Sequence, residues 1–444
     1  MKIARLTGAC ALAIMPLWAT PTAAAVTPPV VDMSALPKPG SPTPPRRTEQ
    51  LGQCFASTEK PTDAVDDSMK LPGLDEVWSL TRGAGQTVAV IDTGVMRHRL
   101  LPHLIPGGDY VSTGDGTTDC DGHGTIVAGI IGGAPDPAHA FVGIAPDATI
   151  IAIRQSSTRF RAEDDPSGTG FGDVDTLATA VRTAADLGAT VINVSTVACL
   201  SADDGLDDRA LGAALAYAVD VKNVVVVTAA GNVGNGPCSE QNPLRPQTPD
   251  WSDVTTVVTP GWYDDYVLTV GSVGRDGNPS PFSLAGPWVD VAAVGEGVVS
   301  LDPDGEGLID SFAAEETPIS GTSYAAPVVS AVAALVRSRS PELTARQVMQ
   351  RIKDTARQPS AGWNPLVGHG IVDAAAAVSN GPAAPSLDGT TPRPLPIPVS
   401  EPSGHGSRFA VRGAALCVAV SIALVVATAS AGRLRRRTDT VPLD

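Results

Sequence analysis

Residues Thr87 to Val95 read TVAVIDTGV, and this stretch decides the fold class. Its first five residues form a near-continuous apolar run rich in β-branched side chains, the pattern of a strand buried on both faces. Four more runs have the same character: TIIAI (149–153), TVINV (190–194), NVVVVT (223–228) and YVLTV (266–270). Between them lie helical patterns. DVDTLATAVRTAADLGA (173–189) begins with a capping Asp173, sets Val174, Leu177, Val181 and Leu187 roughly on one side, and ends at Gly188. DDRALGAALAYAV (207–219) behaves similarly. Strands alternating with helices predict an α/β layered domain with a mainly parallel sheet over residues 71–380. Within it, SSTRFRAEDDPSGTGFGD (156–173) reads as a surface loop.

The chain has 444 residues, is 43% hydrophobic and carries a formal charge of −16. That acidity excludes nucleic acid as a partner, because no phosphate-neutralising surface is available. Residues 1–25 hold Lys2 and Arg5, an apolar run from Ala9 to Ala19 and the small residues PTAAA, the layout of a cleaved signal peptide. Cys10 precedes most of the apolar run, which is the wrong order for an acylation site. A proline-rich, irregular arm follows to residue 70. Beyond the domain, 381–409 reads as a Pro/Gly-rich linker, 410–432 as a transmembrane helix and 433–444 as a basic tail with four arginines. Gly413 to Gly432 contains no charge, and twenty residues at about 1.5 Å each span the roughly 30 Å of one bilayer. The positive-inside bias puts the tail in the cytoplasm and the domain outside. With Cys10 and the membrane Cys417 set aside, Cys54, Cys120, Cys199 and Cys238 remain, an even number that favours two disulfides in any of three connectivities.

Three points of the sequence carry chemistry. Asp92 ends the opening strand; DGHGTIVAGIIGG (121–133) puts His123 where a glycine-flanked loop enters a helix; ISGTSYAAP (319–327) presents Ser323 at the start of another. A serine hydroxyl needs a base to take its proton, and the base needs a carboxylate on its other ring nitrogen. Each point alone has a plainer explanation. Ser or Thr before an apolar helix can be a cap, and a DTG also occurs in aspartic proteases, which need two such carboxylates where this chain has a single DTG. Pro327 is expected in the first helical turn, where no N–H is missed. Asp115, Asp119 and Asp121 read as a solvated acidic loop rather than a calcium site, and His98 and His103 lack metal spacing. Asn193 begins a nominal glycosylation sequon but lies on a buried strand.

Taken together, in the order Asp92, His123, Ser323, these motifs resemble the subtilisin-like serine proteases, and the resemblance runs from about Gly85 to Ala377. It implies a three-layer α/β fold and an Asp-His-Ser triad; the residues themselves show no spacing for a metal site, and no cofactor is expected. It also implies an oxyanion hole made by Asn232 of VVVVTAAGN (224–232) and the backbone N–H of Ser323. One segment departs. Where the family continues with Ser-Leu-Gly-Gly, this chain reads NVSTVACL (193–200), so Ser195, Thr196 and Val197 stand at the edge that pairs with substrate.

The whole layout, from signal segment to membrane helix, resembles the mycosins, membrane-anchored proteases associated with type VII secretion. That resemblance implies pairing of Cys54 with Cys120 and Cys199 with Cys238. It further implies protein substrates from a secretion system, a type VII secretion membrane complex and the cell membrane as partners. A second role implied is that of a structural subunit stabilising that complex, with proteolysis secondary. The arm is short and has little core, so it is expected to wrap the domain and not to act as a cleavable inhibitor.

Overall fold

Apolar runs too continuous for a half-exposed sheet must be covered on both faces, and that is how they lie. A computed structural model describes residues 26–56, 71–234, 238–245, 248–304, 306–312 and 317–379. The expected signal segment, residues 57–70 of the arm, the linker, the membrane helix and the tail lie outside the described residues. Among the described residues no helix is long and apolar enough to cross a membrane.

Seven strands form one sheet: β1 (Thr87–Asp92), β2 (Leu104–Asp109), β3 (Thr149–Arg154), β4 (Val191–Val194), β5 (Val225–Ala229), β6 (Leu268–Val273) and β7 (Val289–Val294). Their order is β7-β6-β5-β4-β1-β3-β2, with every neighbouring pair parallel. Val88 sits opposite Ile150 on one side and Val191 on the other, and the residues from Val88 to Ile91 are fully buried. Five strands coincide with the five apolar runs. β2, with Pro106, Gly107 and Gly108, has no such run, and its proline is tolerated because the strand is the sheet edge. β7 is interrupted by Asp290, which is buried but takes the Thr269 N–H at 2.9 Å and the Lys353 ammonium at 3.2 Å.

Helices fill both faces. α1 (His123–Gly132) and α4 (Thr322–Arg339) pack on each other, and α4 lies across β4, β5, β6 and β7. From Thr322 to Arg337 α4 is buried throughout, which its small residues on every side permit. α2 (Val174–Asp186) and α3 (Arg209–Ala216) pair with each other, and α2 covers β1, β3 and β4. The cap expected for α2 is present as a reciprocal box: the Thr176 N–H donates to Asp173 Oδ1 at 2.8 Å and the Asp173 N–H donates to Thr176 Oγ1 at 2.9 Å.

The described part of the arm is threaded along this body. Thr48–Gln50 pairs antiparallel with Phe160–Ala162, so the polar loop after β3 is held as a short strand, and Arg161 meets Glu49 at 2.7 Å. Cys54 is bonded to Cys120 and Cys199 to Cys238. They close loops of 66 and 39 residues, and each contributes about 4 kcal/mol by loop entropy. The first brings the arm to the loop that precedes α1, where the Phe55 N–H donates to the Cys120 carbonyl at 2.8 Å.

Candidate active site

β1 delivers Asp92 at its carboxyl end, on the strand where the sheet order reverses and where open α/β sheets bind ligands. α1 begins with His123, behind a left-handed Gly122 at φ 85°. His123 Nδ1 lies 2.7 Å from Asp92 Oδ1, and the Thr93 N–H donates to the same oxygen at 2.7 Å. Asp92 is fully buried, whereas the His123 side chain keeps 25% exposure. An ionised carboxylate only accepts hydrogen bonds, so Nδ1 carries the proton and Nε2 is left as a base. Burial opposes a charge on the ring, but the Asp92 carboxylate outweighs it and holds the imidazole above its ordinary value.

Ser323 is the second residue of α4 and nearly buried. Its neighbour Thr322 fixes Asn232, which follows β5: Asn232 Oδ1 accepts the Thr322 N–H at 2.9 Å and the Thr322 hydroxyl at 3.1 Å. The same hydroxyl accepts the Gly231 N–H at 3.2 Å. With its oxygen pinned, the Asn232 amide nitrogen is turned outward over Gly321. A side-chain carbon placed on Gly321 would lie 3.1 Å from Ser323 Oγ and 3.5 Å from Asn232 Nδ2, so hydroxyl and amide border one small space that glycine leaves open. Tyr324, next in α4, packs its buried ring 5.0 Å from the His123 ring. The Ser323 hydroxyl donates to no described residue. Catalytic hydrogen bonds are often long or misaligned without substrate and form fully when it binds.

Residues 83–370 match the family model described as the subtilase family. Mycosin-4 of Mycobacterium tuberculosis is 55% identical over 97% of this chain and 96% of its own length. The chain is a subtilase of the mycosin group. Among solved structures it superposes on the MycP3 protease from the type VII (ESX-3) secretion system with a TM-score of 0.73 and 46% identity, over 80% of this chain and 100% of that one. It also superposes on a chain in the periplasmic assembly from the ESX-5 inner membrane complex, with a TM-score of 0.74 and 42% identity, over 84% and 100%. The serine endopeptidase activity expected from the sequence is the activity of this family.

The structure explains the segment where this subtilase departs from the Ser-Leu-Gly-Gly pattern, and corrects the expectation for Pro327. α4 starts at Thr322, so Pro327 falls in its second turn and withholds the N–H that the Ser323 carbonyl four residues back would have accepted. The Ser195 hydroxyl replaces it, donating to the Ser323 carbonyl at 2.8 Å. Ser195 is held in turn by the Asn193 amide at 2.8 Å, and Asn193 Oδ1 accepts the Ser330 hydroxyl at 2.8 Å. The sequon asparagine is thus a fully buried link between β4 and α4. Ser195→Ala should cost about 1–3 kcal/mol, because it strands a buried carbonyl, and chemical denaturation measures it. Unchanged stability would refute the link. Past Ser195, the segment Ala198–Ser201 pairs with Thr256–Thr259. Thr196, Val197 and Ala198 line a cleft of about 280 Å³ together with Gly172, Val174 and Leu177.

Of the acidic loop, Asp115 is exposed and Asp121 half-buried, as a solvated loop requires, but Asp119 is not. Asp115 caps Thr117 at 2.9 Å, Asp121 takes the Thr158 N–H at 2.7 Å, and Asp119 is buried. His98 is also buried: its Nδ1 accepts the Leu100 N–H at 3.0 Å, which leaves Nε2 to donate to the Gly307 carbonyl at 3.2 Å. Sequence reasoning missed Thr322, Ser195 and Asp119. The first two lie inside the quoted motifs, and Asp119 stands four residues before His123.

Proposed function

We propose that this subtilase is a membrane-anchored, extracytoplasmic serine endopeptidase that processes proteins of a type VII secretion system. Ser323 is the nucleophile, His123 the general base and then acid, and Asp92 the orienting carboxylate. Asn232 and the Ser323 N–H are the oxyanion donors. The observation that carries this reading is the space over Gly321, bordered by Ser323 Oγ and Asn232 Nδ2. A peptide carbonyl carbon there meets the hydroxyl while its oxygen meets the amide. As the Oγ–C bond forms, His123 Nε2 takes the hydroxyl proton, and the carbonyl oxygen gathers negative charge against the donors. The C–N bond then breaks as His123 returns the proton to the leaving amine. Water repeats the sequence and releases the acid.

Export by residues 1–25 and anchoring by 410–432 place the domain outside the membrane and the basic tail in the cytoplasm, with the four cysteines in an oxidising setting. The relatives named for type VII secretion support a secretion-system substrate and a membrane complex as partner. The relative solved within an inner membrane complex also favours a second role, in which the protein body stabilises that complex. A fluorophosphonate probe tests the enzyme: wild type is labelled and Ser323→Ala is not. In cells, Ser323→Ala that stops processing but leaves secretion intact assigns the body a separate role.

The arm leaves the site free in this reading. Its described residues are tied to Cys120 and to Phe160–Ala162, whereas the hydrogen bonds that hold Asp92, His123 and Asn232 come from Thr93 and Thr322 and from the Asp92–His123 pair itself. Protein retaining residues 26–70 should be labelled as fast as protein lacking them. Labelling that begins only after their removal would make the arm an inhibitor.

A further inference from the structure

Asp119 lies behind the His123–Asp92 pair and is 3% exposed. Four donors converge on its carboxylate. Oδ1 accepts the Thr93 hydroxyl and the Gly122 N–H, each at 2.8 Å. Oδ2 accepts the Thr125 N–H at 2.8 Å and the Thr125 hydroxyl at 2.6 Å. These donors come from the two elements that build the catalytic pair. Thr93 directly follows Asp92 and gives it its own N–H at 2.7 Å, while its hydroxyl also accepts the Gly124 N–H at 3.0 Å. Gly122 and Thr125 flank His123 at the start of α1. The helix and strand approach so closely here that a side-chain carbon on Gly124 would lie 3.0 Å from Asp92 Cβ.

We propose that Asp119 is a positioning residue of the catalytic site, a second buried carboxylate that fixes the first turn of α1 to the end of β1 and adds its charge to that of Asp92 behind His123. This rests on His123 acting as the general base. A buried carboxylate with four donors is a costly way to tie a loop unless its charge is used, since neutral groups can satisfy the same N–H and hydroxyl groups. The titratable groups facing His123 are Asp92, Asp119 and Asp121, with Tyr324 from α4. Asp121 is spent on Ser157 and Thr158, and Tyr324 is held neutral by burial, with the nearby Asp92 and Asp119 charges adding to the effect. Burial lifts the Asp119 carboxyl to about 6, against the donors from Thr125 and Thr93 and with the Asp92 charge adding to the effect. His123 is held above its ordinary value, against burial, by Asp92 first and then by Asp119 and Asp121.

The sign follows. A base works when neutral, so labelling rises with pH through the His123 pKa. Removing a neighbouring negative charge lowers that pKa and moves the acid limb down. The test is the second-order rate of fluorophosphonate labelling of the full-length protein in detergent, across roughly pH 5 to 9. Asp119→Asn should move the acid limb down by about 0.5–1 pH unit and slow labelling at the optimum by about 10- to 100-fold. Thr125→Val, which removes one donor and keeps the packing volume, should move the limb the same way by less, and Thr125→Ser should leave it in place. Asp119→Asn with a lowered melting temperature and an unmoved limb means a structural carboxylate and overturns the proposal. If Asp119→Asn does not fold, a limb unmoved by Thr125→Val overturns it equally. A wild-type protein that shows no Ser323-dependent labelling removes the protease reading itself, a result distinct from either.

Discussion

Ser323→Ala is expected to lower peptide hydrolysis by about a millionfold, the scale known for nucleophile loss in subtilisin, while leaving thermal stability unchanged. The two halves of this expectation have separate physical grounds. Stability is spared because the hydroxyl bonds to no other residue among the described ones: the fold is tied at this residue through its carbonyl, which accepts from Ser195 at 2.8 Å, and alanine keeps that carbonyl. Activity collapses because, in the proposed mechanism, the hydroxyl supplies the electron pair that attacks the carbonyl carbon, and it is the nearest atom to the space over Gly321. If Ser323, His123 and Asp92 act as one unit, adding His123→Ala to Ser323→Ala costs nothing further, since a base with no proton to take is idle. Hydrolysis of a quenched fluorescent peptide, with fluorophosphonate labelling beside it, measures both. Residual labelling of the single variant would point to a different serine and overturn the assignment.

How much of this was legible in the sequence depends on which physical signal each element carries. The buried strands β1, β3, β4, β5 and β6 announced themselves because burial on both faces forces continuous apolar runs. β2 did not. An edge strand is covered less and can carry Pro106 and two glycines, so its composition is that of a loop. β7 was hidden by Asp290, whose compensation by Lys353 comes from a helix more than sixty residues away. The same distinction runs through the site. Asp92, His123, Asn232 and Ser323 stand at strand or helix ends beside glycines, which sequence displays. Ser195 is different, because its task is created by Pro327, and only the packing of β4 against α4 brings the two together. Asp119 was misjudged since composition cannot tell a solvated carboxylate from one ringed by Thr93, Gly122 and Thr125.

Asn232→Asp is the sharper test of the oxyanion site, and the expected result is a loss in kcat of at least about 100- to 1000-fold with KM little changed, the range known for losing one such donor in subtilisin. The substitution is chosen because it keeps the oxygen. Thr322 donates to Asn232 Oδ1 from its N–H at 2.9 Å and its hydroxyl at 3.1 Å, and a carboxylate accepts both, so the chain after β5 stays pinned to the start of α4. What changes is the outward atom, which turns from a donor into an acceptor carrying charge. A ground-state carbonyl is nearly neutral and loses little, whereas the tetrahedral oxyanion meets a negative group where it needs a proton donor, so the loss appears in kcat. Thr322→Val supplies the complementary case. It leaves the amide but removes the hydroxyl that orients it and that accepts the Gly231 N–H at 3.2 Å, so kcat should fall by about tenfold, the smaller loss expected when a donor is loosened rather than removed. Steady-state kinetics on one peptide with all three proteins separates the outcomes. An Asn232→Asp enzyme with wild-type kcat, or one whose loss lies in KM, would mean that the amide binds substrate without serving the transition state.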